Sequence, residues 1–259
     1  MINDNNSDFK PLGCKNCLDA NPLSFVITMA YQPIVDIRDK TVFAYEALVR
    51  GKDGSGAGEV LSWVNDENRY TFDQTCRVKA IEIASKLGIE CNLSINFLPN
   101  AVYKPETCIR ATMEAADMFN FPVEKIIFEV TEAEPVKDPD HLQNIFLEYQ
   151  KRGFITAIDD FGAGYAGLNL LTKFKPEIIK LDMELCRGIA ADDIKQTITQ
   201  GIISTTRAIG IEINAEGIED HKDLKVLIDM GVYLIQGFIF SKPFIEELPI
   251  PDFSQINLD

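Results

Sequence analysis

Basic residues, histidine and long apolar runs are what this chain has least of. Only 25 Lys and Arg stand against 40 Asp and Glu, a formal charge of −15 over 259 residues. That balance disfavours long polyanions such as DNA or RNA as partners. Two histidines are present, His141 after Asp-Pro-Asp and His221 after Glu-Asp. Both read as exposed helix starts, which excludes a histidine-rich metal site. No apolar stretch approaches the ~20 residues of a membrane helix. The opening MINDNNSDFK has neither the basic n-region nor the apolar core of a signal peptide. The expectation is a cytoplasmic protein with no membrane association.

Cysteine is sparse and scattered, at Cys14, Cys17, Cys76, Cys91, Cys108 and Cys186, and a reducing compartment keeps these as thiols. Cys14 and Cys17 form the one close pair, C-K-N-C. No second CxxC or nearby histidine completes a zinc set, and no strand precedes the pair as in a thioredoxin-like unit. It reads as incidental or locally structural. Low-complexity tracts and heptad repeats are also missing.

What the chain does have is a repeated pattern. Glu46, Asn96, Glu129, Asp159, Lys180, Glu216 and Gln236 each sit at the downstream end of an apolar run (VFAYE, NLSIN, IIFE, FITAID, EIIK, IEINAE, YLIQ), and Asp160 doubles the carboxylate at Asp159. From Asn96 onward the intervals are 33, 30, 21, 36 and 20 residues, close to one strand-plus-helix unit each. Helical periodicity fills the gaps: 58–87 as two helices broken near Arg69–Thr71, then 105–118, 139–151 closed by Gly153, a helix capped at Asp192 or Asp193 and ending near Gly210, and 220–230. Segments 24–37 and 41–50 are both extended and separated only by RDK, which predicts an antiparallel hairpin at the start. Residues 1–23 read as a polar leader and 24–259 as one α/β domain.

Parallel strands closed into a barrel open all their C-terminal ends on one rim, where such folds build their active sites. The repetition therefore collects five carboxylates, one lysine and two amides at one mouth. A single acid after a strand is ordinarily a helix cap; a series of them, with two adjacent aspartates that repel unless cations balance them, is not. Five carboxylates and an asparagine are hard oxygen ligands suited to Mg²⁺ or Mn²⁺. Two such ions clamp and activate a water for attack on phosphorus, Lys180 can hold that water, and Arg50, on the face of β-strand residue Glu46, can pair with a phosphate oxygen. The residues alone reach as far as a metal-dependent phosphoester hydrolase.

Y-E-A-L-V-R-G at 45–51 resembles the signature of the EAL domain family of cyclic-di-GMP phosphodiesterases. It stands in the company of Y-Q-P-I-V-D at 31–36, N-F-L-P at 96–99, F-E-V-T-E at 128–132, D-D-F-G-A-G-Y at 159–165, K-L-D at 180–182, A-E-G-I-E at 215–219 and Q-G-F-I-F-S-K-P at 236–243. The resemblance covers roughly residues 24–245 in the family's order. It implies a modified TIM (β/α)8 barrel with an antiparallel first strand, and hydrolysis of cyclic di-GMP to linear pGpG with two Mg²⁺ or Mn²⁺ per active site. By position it implies metal ligands at Glu46, Asn96, Glu129, Asp159, Asp160 and Glu216, with catalytic roles for Glu46, Lys180 and Glu216. Lys180 and Gln236 would contact active-site waters, and Gln32, Arg50 and Gln236 the substrate. Glu216 is also a candidate general base in such enzymes; the ligand role is preferred. Asn92 in N-L-S fits a similar pattern, but Asn96, with Pro99 three residues on, is the better match. Glu132 would steady the loop Phe161–Leu171, and a homodimer is implied. Two rivals follow: a catalytically silent cyclic-di-GMP receptor or protein-interaction module, and a nuclease, against which the acidic balance and missing basic stripe weigh.

Overall fold

A computed structural model describes residues 23–131, 139–164, 167–254 and 256. Strands β1 (Ile27–Asp36) and β2 (Thr41–Gly51) form the hairpin, antiparallel with Gln32 opposite Glu46. Parallel strands follow in order: β3 (Asn92–Asn96), β4 (Ile126–Thr131), β5 (Ile155–Phe161), β6 (Ile178–Leu181), β7 (Glu212–Ala215) and β8 (Leu234–Gln236). β8 then pairs antiparallel with β1, Gln236 opposite Ile34, so β1 is the closing stave between β8 and β2. The expected barrel with its antiparallel first strand is what the chain forms. A two-residue strand β9 (Phe244–Ile245), absent from the sequence reading, adds to the free stretch of β1.

Helices α1 (Ala57–Ser62) and α2 (Arg69–Lys86) follow β2, α3 (Pro105–Met118) follows β3, and α4 (Pro139–Lys151) follows β4. After β5, β6 and β7 come α5 (Gly167–Lys173), the short α6 (Met183–Cys186) with the longer α7 (Asp193–Ala208), and α8 (His221–Asp229). The break between α1 and α2 lies just upstream of the expected position, because Asn65 and Asn68 take backbone groups for their side chains. Asn68 accepts from the Asn65 N–H and donates to the Trp63 carbonyl, which ends one helix and starts the next. Asp192 caps α7 as anticipated, accepting from the Ile194 and Lys195 N–H groups. His221 is an exposed helix start, but His141 is half-buried with its ring against the Val102 carbonyl. Among the described residues no helix is long and apolar enough to cross a membrane. Cys14 and Cys17 lie outside the described residues.

The apolar packing falls in two places. The large core lies between strands and helices, and a small inner cluster of Ile34, Ala44, Ile127, Ala157, Ile178 and Leu234 plugs the barrel's interior. Above that plug the inward row becomes polar, because alternation along each strand brings the next inward side chains to the rim.

Candidate active site

The polar layer is built one strand at a time. β4 carries Glu129 two residues above Ile127, β5 carries Asp159 above Ala157, and β6 carries Lys180 above Ile178. Asn96 and Gln236 end β3 and β8, and Glu216 follows directly after β7. Glu46 departs from the expected pattern: it lies in the middle of β2, which runs on five residues to Gly51. Its partner across the hairpin, Gln32, holds it at the level of the rim even though its strand continues.

Lys180 is at the centre, buried, with its Nζ 2.7 Å from Glu216 Oε1, 2.9 Å from Glu129 Oε2, 3.0 Å from Asp159 Oδ1 and 3.4 Å from Glu46 Oε2. Around this ammonium the amides finish the ring. Asn96 Nδ2 donates to Glu46 Oε1 at 2.9 Å and Gln236 Nε2 to Glu46 Oε2 at 2.7 Å, while Gln236 also faces Gln32 Oε1 at 3.5 Å. Gln32 in turn donates to the Ser241 carbonyl at 3.2 Å.

Adjacent strand residues face opposite ways, so Asp159 and Asp160 should not both reach the mouth. A break in the β5–β6 register between Ile158 and Phe161 resolves this. Asp160 adopts a left-handed backbone with φ of 52°, a conformation an aspartate tolerates better than most residues but still at a cost. The bulge turns its carboxylate back toward the rim. Two acid triads result, Glu46–Glu129–Asp159 and Asp159–Asp160–Glu216, each with ligand atoms within 4.8 Å of one another. Asp159 belongs to both.

Four acids around one ammonium, with Asp160 beside them, cannot all ionise freely. Burial, then the repulsion of Glu46 and Asp159 against the pull of Lys180, pushes Glu129 up to about 8. Burial followed by Asp159 and Asp182 pushes Asp160 up to about 6. Asp159 and Glu216 are raised as well, chiefly by burial. Glu46 alone goes down: burial acts to raise it, but Lys180 and the two amides outweigh that effect. Lys180 is held firmly charged, its acids overcoming burial.

Divalent cations fit this donor set. The donors are hard carboxylate oxygens, one carboxylate is shared between two triads, and Asp159 Oδ1 is buried with only the Lys180 ammonium, 3.0 Å away, beside it. A buried carboxylate oxygen with only an ion pair beside it has capacity left for a ligand bond.

Of the remaining residues singled out in the sequence, Arg50 is half-buried, its Nη1 donating to the Val49 carbonyl, with Glu46 near enough to favour its charge. Asn92 lies at the start of β3 and donates to the Phe43 carbonyl. Glu132 lies outside the described residues, as do Tyr165 and Ala166 of the loop Phe161–Leu171. Two residues escaped the sequence reading. Ser94 is buried and donates to Glu129 Oε1, and Asn214 is buried with Nδ2 3.4 Å from Gln236 Oε1. Each lies two residues before a rim residue, Asn96 and Glu216, on the same inward face. A polar residue at that penultimate inward position is the signal that could have found them.

A pocket of about 310 Å³ adjoins the acids, lined by Glu46, Asn96 and Asp159 on one side and by Leu48, Leu61 and Phe72 on the other. A larger cavity of about 600 Å³, lined by Lys175, Glu177, Arg207 and Glu212, lies at the N-terminal ends of β6 and β7. That is the opposite face of the barrel, which does not carry the chemistry in such folds.

Fold and site together define a barrel whose mouth is lined by hard oxygen donors able to hold a metal ion, and the comparisons with known proteins specify which kind. The EAL domain profile matches residues 25–243, and the chain belongs to the EAL domain family. A standalone versatile EAL protein from Vibrio cholerae O395, solved in its c-di-GMP-bound form, is 51% identical with a TM-score of 0.88, covering 90% of this chain and 99% of that one. The Klebsiella pneumoniae BlrP1 manganese/cy-diGMP complex is 33% identical with a TM-score of 0.81, covering 88% of this chain and 58% of that one. Among Escherichia coli K12 proteins, the blue light- and temperature-regulated antirepressor BluF is 29% identical over 90% of this chain and 58% of its own length. "Probable cyclic di-GMP phosphodiesterase PdeD" is 32% identical over 86% and 42%. The chain thus spans about half the length of the curated relatives it matches.

Proposed function

We propose that this protein hydrolyses one phosphodiester bond of cyclic di-GMP, releasing linear pGpG, in a site that takes two Mg²⁺ or Mn²⁺ ions. The observation that carries the reading is the pair of acid triads sharing Asp159, each with ligand atoms within 4.8 Å of one another. Glu46, Glu129 and Asp159, with Asn96, would hold one ion; Asp159, Asp160 and Glu216 would hold the other. When bound, such ions lower the pKa of a coordinated water and neutralise charge developing at phosphorus.

The chain's own residues do the rest. Gln236 and Asn96 fix both oxygens of Glu46, keeping the most acidic carboxylate of the ring in one orientation. Lys180, held charged by its four acids in the metal-free protein, would orient the attacking water while offsetting the carboxylates. Glu216 serves as ligand, and a separate general base is not required. Gln32 and Arg50 face the substrate at the β1–β2 hairpin, the latter as a guanidinium partner for a phosphate oxygen, and the apolar wall of Leu48, Leu61 and Phe72 gives the adjoining pocket a surface for a flat ring. A small cyclic dinucleotide needs only this local positive charge, which agrees with the acidic balance of the whole chain. We infer a cytoplasmic homodimer in which Glu132 steadies the loop after the paired aspartates. The relatives solved with cyclic di-GMP, one of them with manganese, support the ligand and the metal class.

BluF, an antirepressor by name, favours a second reading in which the domain binds without turnover. Incubating purified protein with cyclic di-GMP and Mg²⁺ or Mn²⁺, then identifying the product, separates the two. Appearance of pGpG that stops on chelation supports the hydrolase; tight binding with unchanged cyclic di-GMP supports the silent receptor.

A further inference from the structure

Behind the barrel wall lies a buried charge that the reaction does not use. Arg77 of α2 is fully buried and pairs with Asp73, one turn earlier and 1% exposed, at 2.7 Å. Its Nη1 donates to the Tyr149 hydroxyl of α4 at 2.8 Å, and the guanidinium packs over the rings of Phe97, Phe128 and Tyr149 at 5.4, 5.1 and 5.8 Å. Asp73 Oδ1 meanwhile accepts from the Leu98 backbone N–H at 2.9 Å. Burying such a pair is costly, and apolar residues of similar volume commonly leave a protein as stable or more so. Stability alone is therefore a weak reason for it.

Its contacts do. Phe97 and Leu98 directly follow Asn96, Phe128 directly precedes Glu129, and Phe97 N–H donates to the Glu129 carbonyl at 3.0 Å. We propose that the Asp73–Arg77 pair is a positioning device, locking the rim ends of β3 and β4 so that Asn96 and Glu129 present their oxygens at the correct spacing. A planar cation against three rings fixes ring tilt in a way that aliphatic packing does not, and a carboxylate accepting Leu98 N–H sets where the chain leaves β3. The inference rests on reading Asn96 and Glu129 as metal ligands.

The test compares wild type with Asp73→Leu/Arg77→Met and Asp73→Asn/Arg77→Met. Asparagine keeps an acceptor for Leu98 N–H; leucine does not. Readouts are the thermal midpoint, Mn²⁺ affinity by electron paramagnetic resonance, and the Asn96 side-chain amide signal by NMR without metal. The Leu/Met protein is expected to fold with a somewhat lower thermal midpoint, since Leu98 N–H loses its acceptor, to bind Mn²⁺ about 10–100-fold more weakly and to shift the Asn96 signal; the Asn/Met protein, which keeps the acceptor but lacks the planar cation, recovers only part of each. A folded Leu/Met protein with wild-type Asn96 signal and Mn²⁺ affinity would overturn the proposal. If that protein does not fold, Arg77→Lys decides, since it keeps the charge but loses the planar face: an unchanged Asn96 signal refutes positioning and a shifted one supports it. If wild type binds no Mn²⁺ while the Leu/Met variant still moves the Asn96 signal, positioning stands and the metal reading fails.

Discussion

Glu46 is the residue on which the site turns, since it alone of the five acids is driven below its ordinary carboxyl range. Glu46→Ala would remove a proposed ligand together with the acceptor of both amides, and should lower turnover by at least about 100-fold; activity near wild type in a steady-state assay would contradict its role. Raised carboxyls make a pH prediction with a definite sign. Glu129 and Asp160 hold protons in the folded, metal-free protein up to about 8 and about 6 respectively. Folded values above the unfolded ones mean stability that is present at low pH and lost as pH rises through that range. Cations must displace those protons, so metal affinity should increase between pH 6 and 8. Thermal midpoints with chelator and with excess Mn²⁺ should diverge as pH rises, and a constant gap would argue against the raised groups being ligands. Most of these residues were legible in the sequence because strand ends punctuate an apolar pattern. Ser94 and Asn214 were not, since a polar residue inside a short strand gives no contrast until its face is known.

At the level of elements, the β5 bulge is the feature sequence alternation could not anticipate. Asp-Asp reads as two ligands only because Asp160 accepts a left-handed backbone. Asp160→Gly should relieve that conformation and a raised carboxyl together, leaving the metal-free protein at least as stable, by up to about 1 kcal/mol. It should weaken metal binding all the same. A loss of stability in denaturant titration would show that the aspartate was not strained. A Cβ at Gly237 would stand 2.0 Å from the Ile218 carbonyl oxygen and 2.4 Å from its nitrogen, both backbone atoms that cannot swing aside. Gly237→Ala is expected to cost about 1–3 kcal/mol and to displace Gln236, measurable as a lower thermal midpoint with reduced activity. Helix positions were read well from their caps and periodicity. β9, two exposed residues after a loop, has neither signal.

At the scale of the whole molecule, a barrel plugged by six small and aliphatic side chains carries a mouth whose charge is unbalanced without cations. Metal should therefore stabilise the entire fold: at a hundredfold excess over Kd the linkage is worth about 2.7 kcal/mol, or roughly 5–10 °C for a domain of this size. The strand-plus-helix spacing and the opening hairpin made this architecture readable, because each unit repeats the same alternation. How the helical layer disciplines the rim, through Arg77 and its rings, was not readable, since side chains far apart in the chain meet only after closure. The distant acids would hold two ions, with Asp159 common to both triads, and this is checked by electron paramagnetic resonance of Mn²⁺ titrated into the chelator-stripped protein. Two Mn²⁺ per chain with the spectrum of an exchange-coupled pair are expected, reduced to weak, uncoupled binding by Asp159→Ala. A single isolated ion, or two that show no coupling, would contradict it.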